Sequence, residues 1–322
     1  MIKAGIIGGA GYTAGELIRL LLNHPDVELA FVQSASHAGA KLSDVHSGIE
    51  GDTDLTFVEK GDLKQTDVLF LCMAHGESDR FWGANSRPSG LKVIDLAQDY
   101  RDEHDGFVYG LPELNKERIK GADSIANPGC FATAIQLSLL PLAAGRHLVE
   151  GSEINITAIT GSTGAGVKPG PTTHFSWRDN NLSVYKPFTH QHLKEIGMNL
   201  ERLQPGHDTK INFIPMRGDF PRGIFSNILI DSGLSHKEIV KVFENYYDGS
   251  PFVRIHEKPI DLKQVVNTNK AAIHLETHDG KVLITCAIDN LLKGASGQAL
   301  HNMNLVFGID EKEGLKLKPS AF

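Results

Sequence analysis

The chain has 322 residues, of which 41% are hydrophobic and 22% are charged, and its formal net charge is −7. This composition is typical of a soluble globular protein, and the length allows two domains. The negative charge and the lack of a basic run argue against nucleic acid as a partner. No apolar run is long enough to span a membrane and no signal-peptide pattern opens the chain, so we expect a cytoplasmic protein without a membrane partner.

The three cysteines, Cys72, Cys130 and Cys286, are far apart in the sequence and odd in number. This pattern argues against a disulfide framework and against a thiolate zinc site. We therefore expect no bound metal.

A glycine-rich turn follows the first apolar run, residues 3–7, and leads into a helical pattern that continues to Leu22. The next apolar run, Val27–Gln33, has the pattern of a second strand. Glycines between a first strand and a first helix let the backbone approach a pyrophosphate at the helix N-terminus, as in dinucleotide-binding domains. The residues expected to contact such a cofactor are Gly8, Gly11, Tyr12, Thr13 and Ala14.

The end of the second strand indicates which dinucleotide binds. It lacks the acidic residue that would bind the ribose 2′-hydroxyl of NAD and repel a 2′-phosphate. Ser34 and Ser36 stand there instead, with Lys41 close behind, which favours NADP(H). The alternative is that the two serines only cap the following segment.

Two further apolar runs, residues 67–73 and 91–96, alternate with helical patterns. Continuous apolar strands that alternate with helices predict a doubly wound parallel sheet covered on both faces. Because loops at the carboxyl ends of such strands meet the cofactor, we expect Ala74, His75 and residues 95–101 beside it. Cys72 then belongs to the core.

The segment Asn-Pro-Gly-Cys that ends at Cys130 follows a short apolar strand, Ser124–Ala126, and precedes an apolar helical run. Cys130 is therefore expected at a helix N-terminus. Unpaired backbone N–H groups and the helix dipole lower the pKa of a thiol there, and the same N–H groups can hold an oxyanion. The alternative is a small buried hydrophobic residue.

After Gly151 the strands become longer and alternate in polarity, which predicts an α+β domain with a mostly antiparallel sheet and one open face. A polar loop at 161–181 is long enough to suggest a function. A helix is expected to start near Thr189 and to carry His190 and His192. Two helical residues spaced by one point about 200° apart, so a metal pair is disfavoured and one catalytic histidine is expected. The last helix, 296–307, is expected to return to the first domain.

Six ordered motifs together resemble one family. The overall pattern is similar to the phosphorylating aldehyde dehydrogenases, and the motifs resemble those of the N-acetyl-gamma-glutamyl-phosphate reductase family of arginine biosynthesis. The family usually has Arg at the positions of Ala35 and Gln191, Pro at Ala132 and His at Met216. The motifs lie at residues 8–17, 95–101, 109–113, 127–130, 190–196 and 289–299.

The resemblance implies a Rossmann-type doubly wound parallel sheet plus an α+β catalytic domain with a mostly antiparallel sheet, as in glyceraldehyde-3-phosphate dehydrogenase. It places the dinucleotide-binding domain at 1–129, completed by a C-terminal segment 296–322, and the catalytic and dimerisation domain at 130–295. It implies NADPH-dependent reduction of an acyl phosphate through a thioester on Cys130, and a homodimer or homotetramer. It favours His192 over His190 as the acid and base, although the residues alone leave both open.

The resemblance also supplies further candidate site residues. Arg101 and Arg222 are candidates for the phosphate and the substrate carboxylate because guanidinium groups bind such anions bidentately, with solvated surface pairs as the alternative. Glu195 would orient His192 or bind the substrate amide, unless it is an exposed helix carboxylate. The other substrate candidates are Asn127, Thr163 and Tyr185, and the candidates for the nicotinamide end of the cofactor are Gly129, Asn290, Gly294 and Gln298.

Other functions remain open at this point. Aspartate-semialdehyde dehydrogenase shares the reaction and the fold class, and a substrate comparison would separate the two. A catalytically silent NADP-binding redox sensor would bind the cofactor without phosphate-dependent turnover, and a cysteine hydrolase leaves the glycine-rich first domain unexplained. The sequence does not decide whether the N-acyl group is acetyl, succinyl or part of a carrier protein.

Overall fold

In the computed structural model, which describes residues 1–320, the chain forms two units. The first combines Met1–Pro128 with Ala295–Lys316, and the second comprises Gly129–Gly294 and residues 317–320. Residues 321 and 322, which the sequence analysis assigned to the C-terminal segment of the first domain, lie outside the described residues. Among the described residues, no helix has both the length and the apolar character needed to cross a membrane.

Strands and helices alternate along the first part of the chain, as the apolar runs and glycine turns predict. The elements are β1 (Ile2–Ile7), α1 (Tyr12–Leu22), β2 (Val27–Gln33), α2 (Leu42–Val45), β3 (Phe57–Val58), β4 (Val68–Leu71), α3 (Glu77–Ala84), β5 (Lys92–Asp95), β6 (Val108–Tyr109), α4 (Pro112–Lys120) and β7 (Ser124–Ala126).

The strands of the first unit pair in parallel in the order β3-β2-β1-β4-β5-β7-β6. β4 consists of Val, Leu, Phe and Leu, all buried, as is typical of an inner strand of a parallel sheet. The strand order reverses at β1, between β2 and β4, and ligands of such sheets bind outside the carboxyl ends of the strands at this switch point. The predicted Rossmann-type sheet is confirmed.

The second unit begins at a long buried helix and continues with longer strands. Its elements are α5 (Cys130–Ala144), β8 (Glu153–Thr160), α6 (Phe175–Arg178), β9 (Ser183–Val184), α7 (His192–Leu203), β10 (Lys210–Arg217), β11 (Ile224–Asp231), α8 (His236–Tyr246), β12 (Val253–His256), β13 (Ala271–His278) and β14 (Lys281–Ile288).

The sheet of the second unit has the order β12-β13-β14-β11-β8-β10-β9. β8 pairs with β10 and β12 with β13 in parallel, and the other neighbouring strands are antiparallel. Helix α5 packs on β11 and β14, and α8 packs on β12 and β13. In β8 and β11 every second residue is buried while most of those between are partly or fully exposed, so one face lies under helices and the other is open. The predicted α+β domain with a mostly antiparallel sheet is confirmed.

The last helix, α9 (Gly297–Phe307), belongs to the first unit and packs on α1 and α4. Its side chains are buried from Gly297 to Leu305 although several of them are polar. Buried amides need partners, and two of them find one at Gly110, whose carbonyl oxygen accepts from Asn302 at 2.9 Å and from Gln298 at 3.0 Å. Helix α9 thus completes the unit with which the chain begins.

Candidate functional site

Cys130 is the first residue of α5, and Gly129 is the N-cap of that helix. Its side chain is partly exposed. The first N–H groups of an α-helix have no carbonyl partner within the helix and carry the positive end of the dipole. The Cys130 sulfur therefore lies where a thiolate and an adjacent oxyanion are both stabilised.

The other two thiols lie in different surroundings. Desolvation raises the pKa of Cys72 to about 12, with a further contribution from the nearby Asp95 carboxylate. Burial raises the pKa of Cys286 to about 12 as well. Both remain protonated thiols at neutral pH, which leaves Cys130 as the candidate nucleophile.

His192 packs directly against the residue before Cys130. A Cβ atom on Gly129 would overlap the His192 imidazole, so only glycine allows this approach. Glu195 lies one turn further along α7, and its Oε2 accepts a hydrogen bond from the Gly129 backbone N–H at 3.1 Å. The other oxygen, Oε1, is 4.0 Å from His192 Nε2. The candidate nucleophile, the candidate base and a carboxylate that could orient the base are thus close together, as covalent catalysis requires.

His190 also lies at this site, contrary to the expectation that the two histidines point apart. Helix α7 begins at His192 rather than near Thr189, so the helical angle between the two residues does not apply. The two rings pack edge to face with centroids 4.5 Å apart, and the His192 backbone N–H donates to His190 Nδ1 at 3.3 Å. Burial and the charges of Lys186 and Arg217 lower the pKa of His190 to about 4, so its imidazole is neutral at pH 7.

A buried amide pair joins α5 to α7 behind these side chains. Asn199 Nδ2 donates to Gln136 Oε1 at 2.7 Å, and both residues are fully buried. The sequence analysis did not identify this pair, because two amides on separate helices show no spacing that links them.

A second set of predicted residues lies in and around the turn after β14, next to Cys130. A Cβ atom on Gly294 would lie 2.8 Å from Cys130 Cβ, and the Gly294 N–H donates to the Asp289 carbonyl oxygen at 2.9 Å. The neighbouring Asn290 accepts from the Gly223 N–H at 2.7 Å and donates to Thr163 Oγ1 at 3.0 Å. Two predicted residues, Thr163 and Asn290, are therefore in contact, and a third, Gly294, adjoins Cys130.

Arg222 forms a bidentate ion pair with Asp289. Its Nε lies 3.0 Å from Oδ2 and its Nη2 lies 3.1 Å from Oδ1, and the carboxylate is fully buried. Much of the charge of Arg222 is thus matched within the protein. Its role in binding the substrate stays a prediction.

Tyr185 lies near the two histidines and contacts one further cation, Arg217. Its ring centroid lies 5.8 Å from that of His190 and 6.5 Å from that of Phe131, the residue after Cys130. Arg217, the last residue of β10, places its guanidinium carbon 4.5 Å from the Tyr185 ring centroid. The sequence analysis did not select Arg217, because it missed β10 and so could not place the end of that strand.

In the first unit, the glycine turn has the conformation that a dinucleotide site requires. Gly8 has a φ of 81°, and a Cβ atom there would lie 2.7 Å from the Cys72 carbonyl oxygen. Gly11 is the N-cap of α1, Tyr12 is 42% exposed at its first turn, and Ala14 is buried. Backbone N–H groups at this helix N-terminus fit the pyrophosphate of a dinucleotide. Thr13, within the same turn, accepts a hydrogen bond at its carbonyl oxygen from Ser296 at 2.7 Å.

Ser34 and Ser36 lie together at the end of β2. Both hydroxyl groups are within hydrogen-bond distance of His37 Nδ1, at 3.2 Å and 2.8 Å. The residues from Gln33 to His37 carry no carboxylate. The group is small, polar and free of negative charge, which fits a ribose or its phosphate.

The two predicted residues after β4 lie in its carboxyl-end loop. The Ala74 N–H donates to Glu77 at 3.3 Å. His75 accepts from the Gln98 N–H at 3.2 Å, which joins the loops after β4 and β5. Both loops lie at the carboxyl ends of their strands, where ligands of such sheets bind, and their contact with a cofactor stays a prediction.

Three further predicted residues of the first unit make bonds that hold its own backbone. Arg101 is 7% exposed and donates to the carbonyl oxygens of Asn127 at 2.9 Å and Leu96 at 3.1 Å. Asn127 donates to the Ala295 carbonyl oxygen at 3.0 Å, and Gln298 is fully buried on Gly110. Their substrate and cofactor roles stay predictions.

The fold is shared with solved structures of low sequence identity. Aspartate semialdehyde dehydrogenase II of Vibrio cholerae, complexed with ASA, superposes with a TM-score of 0.74 at 16% identity, over 96% of this chain and 98% of that chain. The Candida albicans aspartate semialdehyde dehydrogenase with NADP gives 0.71 at 16% identity, over 95% and 98%. This likeness concerns the fold alone.

The family models and the sequence relatives identify the family of this chain more specifically than the fold does. The model for the NAD binding domain of semialdehyde dehydrogenases matches residues 3–122, and the model for their dimerisation domain matches residues 130–290. The N-acetyl-gamma-glutamyl-phosphate reductases of Phocaeicola vulgatus and Parabacteroides distasonis are 59% and 60% identical to this chain, over 100% of each chain. The first unit therefore binds a nicotinamide dinucleotide, and the chain belongs to the N-acetyl-gamma-glutamyl-phosphate reductase family of semialdehyde dehydrogenases.

Proposed function

We propose that this protein reduces N-acetyl-gamma-glutamyl phosphate to N-acetylglutamate 5-semialdehyde and phosphate, with NADPH as the reductant. The observation that carries the proposal is Cys130 at the N-terminus of α5, with His192 packed on Gly129 beside it. The full-length identity to reductases named for this substrate supports it.

The first step belongs to Cys130. Its thiolate attacks the carbonyl carbon of the acyl phosphate, the bond from that carbon to the phosphate oxygen breaks, and phosphate leaves with the electron pair. A thioester remains on the sulfur. During the attack the carbonyl oxygen gains negative charge, which the first N–H groups of α5 stabilise.

The second step reduces the thioester and regenerates the Cys130 thiolate. A bound nicotinamide cofactor would supply the hydride that reduces the thioester, which leaves a thiohemiacetal on Cys130. His192 donates a proton to the thiohemiacetal oxygen and removes it again as the carbon–sulfur bond breaks and the aldehyde leaves. Glu195 holds His192 in place and fixes Gly129. His190, whose pKa is lowered to about 4, is unsuited to donate a proton at pH 7.

NADP(H) is the proposed cofactor in preference to NAD(H). The end of β2 offers the hydroxyl groups of Ser34 and Ser36 and no carboxylate, so a 2′-phosphate meets no repulsion there. A Ser34→Asp variant is expected to bind NADPH less tightly and NADH no less tightly than the wild type. Dissociation constants from nucleotide fluorescence measure this ratio.

A homodimer or larger homo-oligomer is proposed, formed through the open sheet face of the second unit. Leu229 on β11 is 40% exposed on that face, and exposed apolar side chains on an open sheet favour association. The match to a dimerisation domain supports this proposal. Leu229→Arg is expected to shift the mass measured by light scattering towards that of one chain.

The test of the activity is the reverse reaction, with N-acetylglutamate semialdehyde, inorganic phosphate and NADP. The wild type is expected to form NADPH only when phosphate is present, because phosphate must release the acyl group from the sulfur. Cys130→Ala is expected to lose this turnover while it still binds NADPH. Cys286→Ala is the matched control, since this buried thiol of the same unit has a pKa raised to about 12 and takes no part.

The substrate range is tested in the same assay. N-succinylglutamate semialdehyde and aspartate semialdehyde are compared with the N-acetyl compound, and the proposal expects the highest kcat/KM for N-acetylglutamate semialdehyde. Higher efficiency with either of the others would replace the proposed substrate. Tight NADPH binding with no phosphate-dependent turnover on any of the three would instead indicate a redox sensor.

A further inference from the structure

Among residues 1–320 the Arg217 side chain contacts Tyr185 but is paired with no carboxylate. It is half-buried at the end of β10, and its Nε atom is buried with no hydrogen-bond partner among residues 1–320. Within this part of the chain no carboxylate lies at salt-bridge distance from it. Buried guanidinium donors are normally paired, so an unpaired one at a reactive site points to a ligand.

Two other arginines of the same unit show the contrast. Arg222 is paired with the buried Asp289. Arg178 is 6% exposed, and although its Nε also has no partner among residues 1–320, its two Nη atoms donate to four oxygen atoms of the loop, β9 and β10. Among these are the Arg217 carbonyl oxygen at 2.6 Å and Ser183 Oγ at 2.9 Å. Arg178 therefore holds the backbone around Arg217, whereas the Arg217 side chain contacts Tyr185 and bonds no backbone oxygen of residues 1–320.

The surroundings of Arg217 are those of an anion site. Its guanidinium lies over the Tyr185 ring. Lys186 follows in sequence, is exposed, and contacts the neutral Gln191 at 3.4 Å. Both cations are close enough to His190 to lower its pKa, in addition to the effect of burial, so His190 adds no third charge at pH 7. Two cations beside a neutral imidazole have net positive charge that a ligand anion would neutralise.

The site also adjoins the nucleophile. The Tyr185 ring lies 6.5 Å, between centroids, from that of Phe131, the residue after Cys130, and the charge of Cys130 contributes, after burial, to raising the pKa of Tyr185. The Tyr185 ring thus contacts both Arg217 and Phe131 at the start of α5, which carries Cys130. A substrate whose reacting carbon lies at the sulfur would reach Arg217 with a group a few bonds away.

We propose that Arg217, with Lys186 beside it, binds a carboxylate of the substrate and thereby selects acylated amino acid aldehydes over uncharged aldehydes. The proposal rests on the proposed function. In an N-acylglutamate semialdehyde the α-carboxyl carbon is four carbon–carbon bonds of ~1.5 Å each from the reacting carbon. The phosphate, in contrast, is attached to the reacting carbon itself and must lie at the sulfur, so the carboxylate is the anion that fits Arg217.

The carboxylate has two possible sources, the α-carboxylate of the glutamate or a carboxylate at the far end of the N-acyl group. Three aldehydes distinguish them. N-acetylglutamate semialdehyde carries the α-carboxylate, 4-acetamidobutanal is the same molecule without it, and N-succinylglutamate semialdehyde carries a second carboxylate. The variants are Arg217→Met, which keeps an apolar stem on Tyr185, and Arg217→Lys, which keeps the charge.

If Arg217 binds the α-carboxylate, Arg217→Met should lower kcat/KM for N-acetylglutamate semialdehyde about 10- to 100-fold. It should leave kcat/KM for 4-acetamidobutanal within about 2-fold of the wild-type value. Arg217→Lys should retain part of the preference. If the acyl carboxylate is the ligand, the loss falls on the N-succinyl compound only. Arg146→Met, which removes an exposed arginine of the same unit, is the control and should leave all three values unchanged.

Equal losses on all three aldehydes, or a raised KM for phosphate with each of them, would overturn the carboxylate assignment. Calorimetry with the Cys130→Ala protein gives the same comparison without turnover, by titration of N-acetylglutamate and N-acetyl-4-aminobutyrate into proteins with and without Arg217→Met. Loss of affinity for both compounds alike would also overturn it. A wild type without phosphate-dependent turnover on any aldehyde would contradict the proposed function instead, whereas a fully active Arg217→Met protein contradicts only the carboxylate site.

Discussion

The chemistry of single residues in the second unit depends on how closely two helix starts approach each other. Cys130 begins α5 and His192 begins α7, and Gly129 is the point where they meet. Glu195 bonds the Gly129 N–H, so the same carboxylate that faces His192 also fixes the start of the cysteine helix. A change of one atom at Gly129 therefore acts on the proposed nucleophile and the proposed base together.

Gly129→Ala is predicted to lower kcat about 100-fold, because displacements of catalytic groups on the order of 1 Å have effects of this size. The added methyl group overlaps the His192 ring, which is held by His190 and must move. Steady-state kinetics of the reverse reaction measures the loss. Gly197→Ala on α7 is the control, since a methyl group there meets no atom within 4 Å. Unchanged kcat in Gly129→Ala would show that the placement of His192 is not limiting.

His190 is predicted to make stability depend on pH. Its pKa is lowered from about 6.5 in the unfolded chain to about 4 in the fold. Between these values the unfolded chain binds a proton that the folded chain does not, so the free energy of unfolding falls as the pH drops from about 6.5 to about 4. From pH 7 to pH 4.5 this loss is about 2.5 kcal/mol, and His190→Gln should remove it.

Urea unfolding at the two pH values measures this effect. The comparison variant is His278→Gln, which replaces a side chain that is 91% exposed and should leave the pH dependence as in the wild type. If His190→Gln lost as much stability between pH 7 and pH 4.5 as the wild type does, the lowered pKa of His190 would be wrong.

At the scale of elements, the sequence predicted those whose pattern is local. β2 and β7 have the predicted bounds, and β1, β4, β5 and α9 differ from them by one or two residues. The strand β10 was not identified, because Pro215 interrupts its alternating pattern and Pro is unusual inside a sheet. The contact between His190 and His192 could not be predicted either, because it depends on where α7 begins and no side-chain cap marks that start.

The contact between α5 and α7 is one such non-local feature, and it can be tested with the Gln136–Asn199 pair. Asn199→Leu is predicted to lower the free energy of unfolding by roughly 1–3 kcal/mol, because it leaves a buried Gln136 oxygen without its donor. The double variant Gln136→Leu with Asn199→Leu should be destabilised by less than the sum of the single changes, since it leaves neither amide unpaired. Urea unfolding of all four proteins measures the coupling, and additive effects would refute it.

At the scale of the whole molecule, the first unit is built from two segments that are far apart in the sequence. Its sheet is complete by Ala126, yet α9 comes from the end of the chain and supplies partners to residues far from it in sequence. Asn304 contacts His24 at 3.2 Å, and Glu311 pairs with both Lys116 and His301. Such contacts form only when nearly the entire chain is present, so the cofactor domain depends on its last helix.

Removal of residues 295–322 is therefore predicted to abolish NADPH binding, although every predicted phosphate-contacting residue of the glycine turn remains. Without α9, the apolar side chains of α1 that pack against it are exposed, and the Gly110 carbonyl oxygen loses both amide donors. Nucleotide fluorescence titration and circular dichroism report binding and folding. A chain ending at Lys316 keeps the whole first unit and should bind NADPH as the full chain does. Retained binding after removal of 295–322 would show that α9 is dispensable and that the first 128 residues fold without it.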